Sequence, residues 1–160
     1  LSGVITSHGG NVEESRMSRL GADFAIIMLV SVAPNWMESL SVALKSINEL
    51  TIISKTTKTK ESEEGIQFQI DLNGADNEGI VKVLSKYLSE KSINILDLQT
   101  NISNAPITGS PLFNLRAILA ISEICNISDI QSELNQISQK LGVEIIVTQS
   151  ESILDTETPS

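Results

Sequence analysis

Leu84–Leu98 reads LSKYLSEKSINILDL, and Leu1–Ser15 reads LSGVITSHGGNVEES. Slid by 83 residues, Leu1 falls on Leu84, Ser2 on Ser85, Asn11 on Asn94, Val12 on Ile95 and Glu14 on Asp97. Farther along the displacement becomes 89: Phe24 falls on Phe113, Ile26 on Leu115, Val30 on Leu119 and Val32 on Ile121. The difference is one insertion in the second copy, within SNAPITGSP (103–111), where Pro and Gly mark a loop. Two copies with a short insertion point to duplicated domains, because a solenoid needs three or more stacked units to bury its core.

The second copy spells out an architecture. In IQFQIDL (66–72) the residues Ile66, Phe68, Ile70 and Leu72 alternate with polar ones, the period of a half-buried strand. NGADNEG (73–79) turns the chain, and Ile80, Leu84, Tyr87 and Leu88 recur at helical spacing through Lys91. Residues 93–103 and 112–121 read as two strands. Ile127, Ile130, Leu134, Ile137 and Leu141 form an apolar helical stripe. Ser128 with Gln131 fits a capping box, Gly142 fits a helix stop, and 143–149 reads as a last strand. The expected fold class is α+β: strand-helix-strand-strand-helix-strand, helices on one face of an antiparallel sheet.

The first copy repeats this order without its beginning. Residues 1–8 read as the end of a helix, 11–20 and 23–32 as strands, 34–47 as a helix with Pro34 near its start, and 50–55 as the final strand. Residues 66–83 have no counterpart ahead of Leu1, so a strand and the start of a helix are expected upstream in the natural chain. The expected organisation is a first domain over 1–56, a linker over 57–64, a second domain over 65–150 and a tail over 151–160. Residues 23–32 are apolar on both faces, with Ala25, Ile27, Leu29 and Ser31 on the second. That face is expected to be covered by the other copy or a second subunit.

Composition narrows the function classes. At 41% hydrophobic the 160-residue chain can build a packed core, and a net charge of −9 argues against direct nucleic-acid binding. The basic cluster Lys55, Lys58 and Lys60 runs straight into Glu61, Glu63 and Glu64, a solvated linker pattern. The lone Cys125 excludes an internal disulfide and reads as a packed thiol. The apolar run 24–30 is far below the ~20 residues of a membrane span, so no membrane partner is expected and the chain reads as cytoplasmic. No His/Cys cluster or paired carboxylates call for a metal, a cofactor or catalysis. His8 reads as a cation at a helix end. GGN at 9–11 is too short for a phosphate loop. Aromatic content of 3% leaves no base-stacking platform for RNA.

One stretch carries possible binding chemistry. Asp76, Asn77, Glu78 and Gly79 precede a helix, and Asn94 begins the next strand. Free N–H groups at a helix start suit a carboxylate, Gly79 allows close approach, and Asn94 adds a donor and an acceptor. That combination suits a small zwitterion. A plain capped turn, with Asn77 as N-cap, accounts for the same residues.

SRMSRLGADFAIIMLVSV (15–32) and GADNEGIVKVLSKYLSEKSINILDLQTNISNAPITGSPLFNLRAILAI (74–121) resemble tandem ACT domains, in particular bacterial glycine-cleavage-system repressor proteins. The likeness spans about 1–149, and its most specific parts are Gly-Ile-Val at 79–81, Ile-Asn-Ile at 93–95 and Ala-Pro-x-Thr-Gly-x-Pro-Leu-Phe at 105–113. It implies two ferredoxin-like (βαββαβ) domains that bind a small amino acid such as glycine or serine between paired domains. It further implies a homodimer, and signalling to a regulatory protein partner. The implied ligand residues are Asn73, Gly74, Ala75, Asp76, Asn77, Gly79, Ile80 and Asn94, with Asn11 in the first copy. Glu78 stands where the family's loop carries Pro. The alternative reading is a structural or oligomerisation module with no surviving ligand site.

Overall fold

The computed structural model describes residues 1–58, 65–75, 79–122 and 125–149. The chain divides into two compact units, Leu1–Thr59 and Lys60–Ser160. In unit 2, β3 (Ile66–Ala75) leads to α3 (Gly79–Glu90), β4 (Asn94–Asn104), β5 (Pro111–Ile121), α4 (Ile127–Leu141) and β6 (Glu144–Gln149). The sheet is antiparallel in the order β4-β5-β3-β6, the ferredoxin-like arrangement with its first strand interior. The α+β expectation holds.

The alternation in the sequence decides which way each strand faces. Phe68, Ile70 and Leu72 of β3 and Leu115, Ala117, Leu119 and Ile121 of β5 are all at most 2% exposed. They meet Ile80, Leu84 and Leu88, spaced by four along α3, and Ile130 and Leu134 of α4. Each such aliphatic side chain taken from water contributes roughly 1.5–3 kcal/mol. Cys125 packs half-buried against this core. Glu133 of α4 accepts from the Tyr87 hydroxyl at 2.6 Å and the Lys91 ammonium at 2.8 Å, tying α4 to the last turn of α3. Lys91 foremost, then Tyr87, holds the Glu133 carboxyl below its ordinary pKa, while burial, then Glu133, pushes the Tyr87 phenol up.

Two local expectations are corrected. The α4 N-cap is Asn126, whose side chain accepts from the Ser128 N–H at 3.0 Å, so Ser128 lies inside the helix and is not its cap. Asn126 sits just ahead of the first helical turn, so its side-chain oxygen reaches the N–H of the second helical residue, as a cap must. The strand β3 also runs on through Asn73–Ala75, which read as turn, because β5 offers ladder partners to all three and β6 to Asn73. Gly142 closes α4 in the left-handed region at φ +64°, as expected.

Unit 1 holds α1 (Ser2–Ser7), β1 (Gly10–Leu20), β2 (Asp23–Val32), a 3-10 turn over Pro34–Trp36 and α2 (Met37–Lys45). The hairpin β1–β2 turns tightly through Gly21, at φ +62°. His8 ends α1 with Nδ1 2.8 Å from the Val4 carbonyl, so its ring caps the helix. Among the described residues of this unit only Ile5 and Leu40 are buried. The expected strand at 50–55 does not form: those residues carry no ladder, and Ile53 is 92% exposed. The physical reason lies in unit 2, where among the described residues the final strand β6 pairs only with β3, and residues 1–58 contain no counterpart of β3. Within unit 1 nothing covers β2's second face, where Ile27 is 77% exposed and Leu29 45%.

The hairpins of the two units match position by position. Asn11 faces Ser31 and Val12 faces Val30, as Asn94 faces Ala120 and Ile95 faces Leu119. Each first strand then bulges by one residue, Glu13 in β1 and Leu96 in β4, before Glu14 faces Leu29 and Asp97 faces Ile118. Just before each strand the backbone enters the left-handed region, at Gly9 (φ +69°) and Ser92 (φ +54°). All of these pairs obey the two displacements read from the sequence.

Candidate functional site

The residues expected to hold a ligand fall into two groups at opposite ends of unit 2. Asn73, Gly74 and Ala75 close β3, and Gly79 and Ile80 open α3. Asp76 and Asn77 lie outside the described residues, as does Glu78. Asn94 opens β4 at the other end. It faces Ala120, which faces Gln67 at the start of β3, whereas Gly74 faces Phe113. Seven residues of strand separate those levels, roughly 24 Å at the usual rise. The helix agrees: the Ile93 N–H donates to the Leu88 carbonyl at 2.9 Å, folding Asn94 back against the C-terminal end of α3, away from Gly79. The expectation that one zwitterion touches both Gly79 and Asn94 is therefore not met within a single unit.

Several members of the first group serve packing. Ile80 is fully buried in the core. A Cβ at Gly74 would fall inside the Val143 side chain, so this glycine is what lets the chain entering β6 approach β3. Asn73 is half-buried on the sheet face away from the helices, between Asn114 and Glu144.

The second group forms a shallow, open depression of about 380 Å³ lined by Ser85, Leu88, Ser89, Ser92, Ile93, Asn94 and Ile95. It lies at the C-terminal end of α3, where the helix dipole favours a cation, and where the Tyr87, Leu88 and Ser89 carbonyls already accept from the N–H groups of Lys91, Ile93 and Ser92. Asn94 is exposed, and its side-chain amide has no hydrogen-bond partner among the described residues. The three serines were missed in the sequence. The available signal was the repeat, since Ser85 and Ser89 fall four apart on one helix face and match Ser2 and Thr6 of the first copy.

Asn11, the counterpart of Asn94, is committed elsewhere. Its Nδ2 donates to Glu13 Oε1 at 3.1 Å, and the Ser31 hydroxyl donates to the same oxygen at 2.5 Å. The Ser31 bond, then the Asn11 bond, holds the Glu13 carboxyl below its ordinary pKa. In unit 2 the corresponding positions are Leu96 and Ala120, which cannot engage an amide.

Elsewhere on unit 2, the sheet face away from the helices is polar. Arg116 Nε donates to Asp71 Oδ1 at 2.8 Å, directly across β5 and β3. Asn114 Nδ2 reaches Asn101 Oδ1 at 2.9 Å and Ser103 Oγ at 2.8 Å. Among the described residues no group of three or more His, Cys, Asp or Glu could hold a metal ion. None of their helices is long and apolar enough to cross a membrane.

Comparison with known proteins places this geometry. Residues 1–54 match the family model described as the ACT domain. A UPF0237 protein from Methanocaldococcus jannaschii is 32% identical over 82 residues, which cover 49% of this chain and 81% of that protein. The crystal structure of an unknown protein from Galdieria sulphuraria is 29% identical, with a TM-score of 0.81 over 94% of this chain and 88% of its own. A candidate glycine cleavage system transcriptional repressor of known structure shares the fold at 16% identity, with a TM-score of 0.74 over 94% of this chain and 87% of its own. The match to the ACT model, the archaeal relative and a duplicated hairpin that keeps its bulge in both copies agree on one conclusion: this chain belongs to the ACT-domain family.

Proposed function

We propose that the chain is a non-catalytic, cytoplasmic regulatory protein that binds a small amino acid and acts through a protein partner. Its two ACT domains are taken as residues 1–56 and 65–150, joined by 57–64 and followed by a tail over 151–160. The observation that carries the reading is the uncommitted amide of Asn94, set among serine hydroxyls at the negative end of α3. That half-site suits an α-ammonium group. The start of α3 at Gly79, flanked by Asn73, Gly74, Ala75, Asp76 and Asn77, suits the carboxylate. Because the two halves lie on the order of 20 Å apart along a helix of this length, a glycine- or serine-sized ligand needs them from two molecules. A homodimer that lays the helix start of one copy against Asn94 of the second supplies both.

Titration calorimetry of the chain against an amino-acid panel tests this. Heat is expected with glycine or serine. It should vanish in Asn94→Ala and persist in Asn11→Ala, because Glu13 already occupies the Asn11 amide. No heat across the panel would sink the sensor reading. The second reading, an oligomerisation module without a ligand, draws on the exposed apolar residues Ile95, Leu98 and Ile102 along the edge strand β4. Dimers that form without any amino acid heat would favour it.

A further inference from the structure

The hairpins of the two units differ at their tips. β1 and β2 turn tightly through Gly21, whereas β4 and β5 are joined by the insertion seen in the repeat. That longer loop is tied to itself. The Ala105 N–H donates to the Ser110 carbonyl at 2.8 Å, the Gly109 N–H donates to the Ala105 carbonyl at 2.9 Å, and Gly109 takes φ +66°. At its tip Ile107 is 98% exposed, more than any other large apolar side chain described. A preformed loop loses little freedom on docking, and an apolar side chain gains most where a pocket covers it. Residues 98–115 carry no charge in a chain that is 19% charged, and depletion of charge marks the centre of protein interfaces.

The depression at Asn94 has matching properties. None of its lining residues is charged, and Leu88, Ile93 and Ile95 give it an apolar floor. Ile107 of the same unit cannot fill it, because β4 runs from Asn94 at the depression to Asn104 beside the loop. A second molecule can. Among the described residues β4 has a ladder partner on one edge only, β5. Two such free edges laid antiparallel and centred on Gln99 set Asn104 of one molecule against Asn94 of the other. The loop then runs past Asn94 toward Ile93 and Ser92, at the depression. We propose that the β4–β5 loop is a lid supplied in trans: Ile107 of one molecule closes over the Asn94 depression of a second. This rests on the homodimer of the proposed function, whose helix start shares an end of unit 2 with the loop, since Ala75 faces Leu112. Ile107 lies over the apolar floor, leaves the Asn94 amide and the serine hydroxyls to a small ligand, and shields their hydrogen bonds from water.

Cross-linking of the whole chain tests the lid without any ligand. In a Cys125→Ser background, Ile107→Cys and Ser89→Cys chains are mixed without amino acid and oxidised with diamide. The disulfide joining the two variants is expected at a yield about tenfold above that with Asn135→Cys, exposed on α4, in place of Ser89→Cys. Separately, Ile107→Asp is expected to weaken dimerisation in sedimentation by about tenfold or more. The lid is overturned if linking does not exceed the control, or if Ile107→Asp dimerises as tightly as the unchanged chain. Heat with glycine or serine but no linking would keep the sensor reading and overturn the lid; linking without heat would do the reverse.

Discussion

Ile27 and Arg116 occupy the same place in the two copies of the repeat, yet their surroundings have nothing in common. Arg116 lies across from Asp71 of a neighbouring strand and shares a hydrogen bond with it. Ile27 stands 77% exposed on a strand whose far edge has no neighbour among the described residues. The hairpins beneath them are nevertheless the same, down to the bulge and the left-handed residue that precedes it. Local register is therefore carried by local sequence, while burial depends on strands that come from elsewhere in the chain. Unit 2 folds its core around β3, and residues 1–58 hold the same hairpin with no such strand beside it.

The sharpest way to break this comparison is to cut equivalent side chains. Leu119 is fully buried and Val30, its counterpart, is half-buried. Leu119→Ala should cost roughly 2–5 kcal/mol, since it removes transfer energy and leaves a cavity that a packed core closes only in part. Val30→Ala should cost about 1 kcal/mol or less, because little close packing is lost where solvent already reaches. Urea denaturation followed by exchange at residues 65–149 and 1–58 separately gives both numbers. Equal costs would mean that unit 1 has a core of the same quality, and the contrast drawn above would fall.

What could be read from the sequence follows the same division. Strand alternation in β3 and the four-residue spacing of Ile80, Leu84 and Leu88 are properties of a few consecutive turns, and they predicted unit 2 almost residue by residue. The 50–55 segment looked equally strand-like, but a strand needs a partner, and periodicity says nothing about whether one is present. The candidate site failed for a related reason. Gly79 and Asn94 are only fifteen positions apart, and the helix between them turns that separation into its full length. Resemblance named the residues of a site made by two domains; only the register revealed that one domain cannot bring them together. The serines around Asn94 escaped notice because hydroxyls on an exposed helix face carry no periodic signal, although the repeat contained one.

A smaller effect tests how far the two hairpins are interchangeable. Gly9 and Ser92 both hold positive φ, and a side chain pays no steric cost there only when it is absent. Ser92→Gly should stabilise unit 2 by about 0.5–1 kcal/mol, and Gly9→Ser should destabilise unit 1 by about 1 kcal/mol. A Cβ at Gly9 would meet the Trp36 ring at ordinary contact distance, so the backbone and not crowding sets the sign. Thermal melting of the two variants checks this, and opposite shifts are the expected outcome. If both variants lost stability, the hydroxyl of Ser92 would be doing something the backbone comparison misses.

The smallest effect returns to Arg116 and Asp71. The hydrogen bond from Arg116, then that from Gln69, holds the Asp71 carboxyl below its ordinary pKa. A folded-state pKa below the unfolded value means the contribution is fully present above the unfolded pKa of about 3.9 and fades as pH falls through the lower folded value. Between pH 5 and 8 the pair should therefore add a constant amount. Because the Arg116 side chain is 65% exposed, solvent screening keeps that amount under about 1 kcal/mol. Asp71→Asn should remove it and flatten the acid limb of the stability curve below pH 4. Ile27→Arg in unit 1 should add nothing comparable, because residues 1–58 place no carboxylate on a neighbouring strand beyond β2's free edge. A measurable gain from Ile27→Arg at neutral pH, lost on acidification, would show a carboxylate already facing that edge, and the contrast between the two copies would fall.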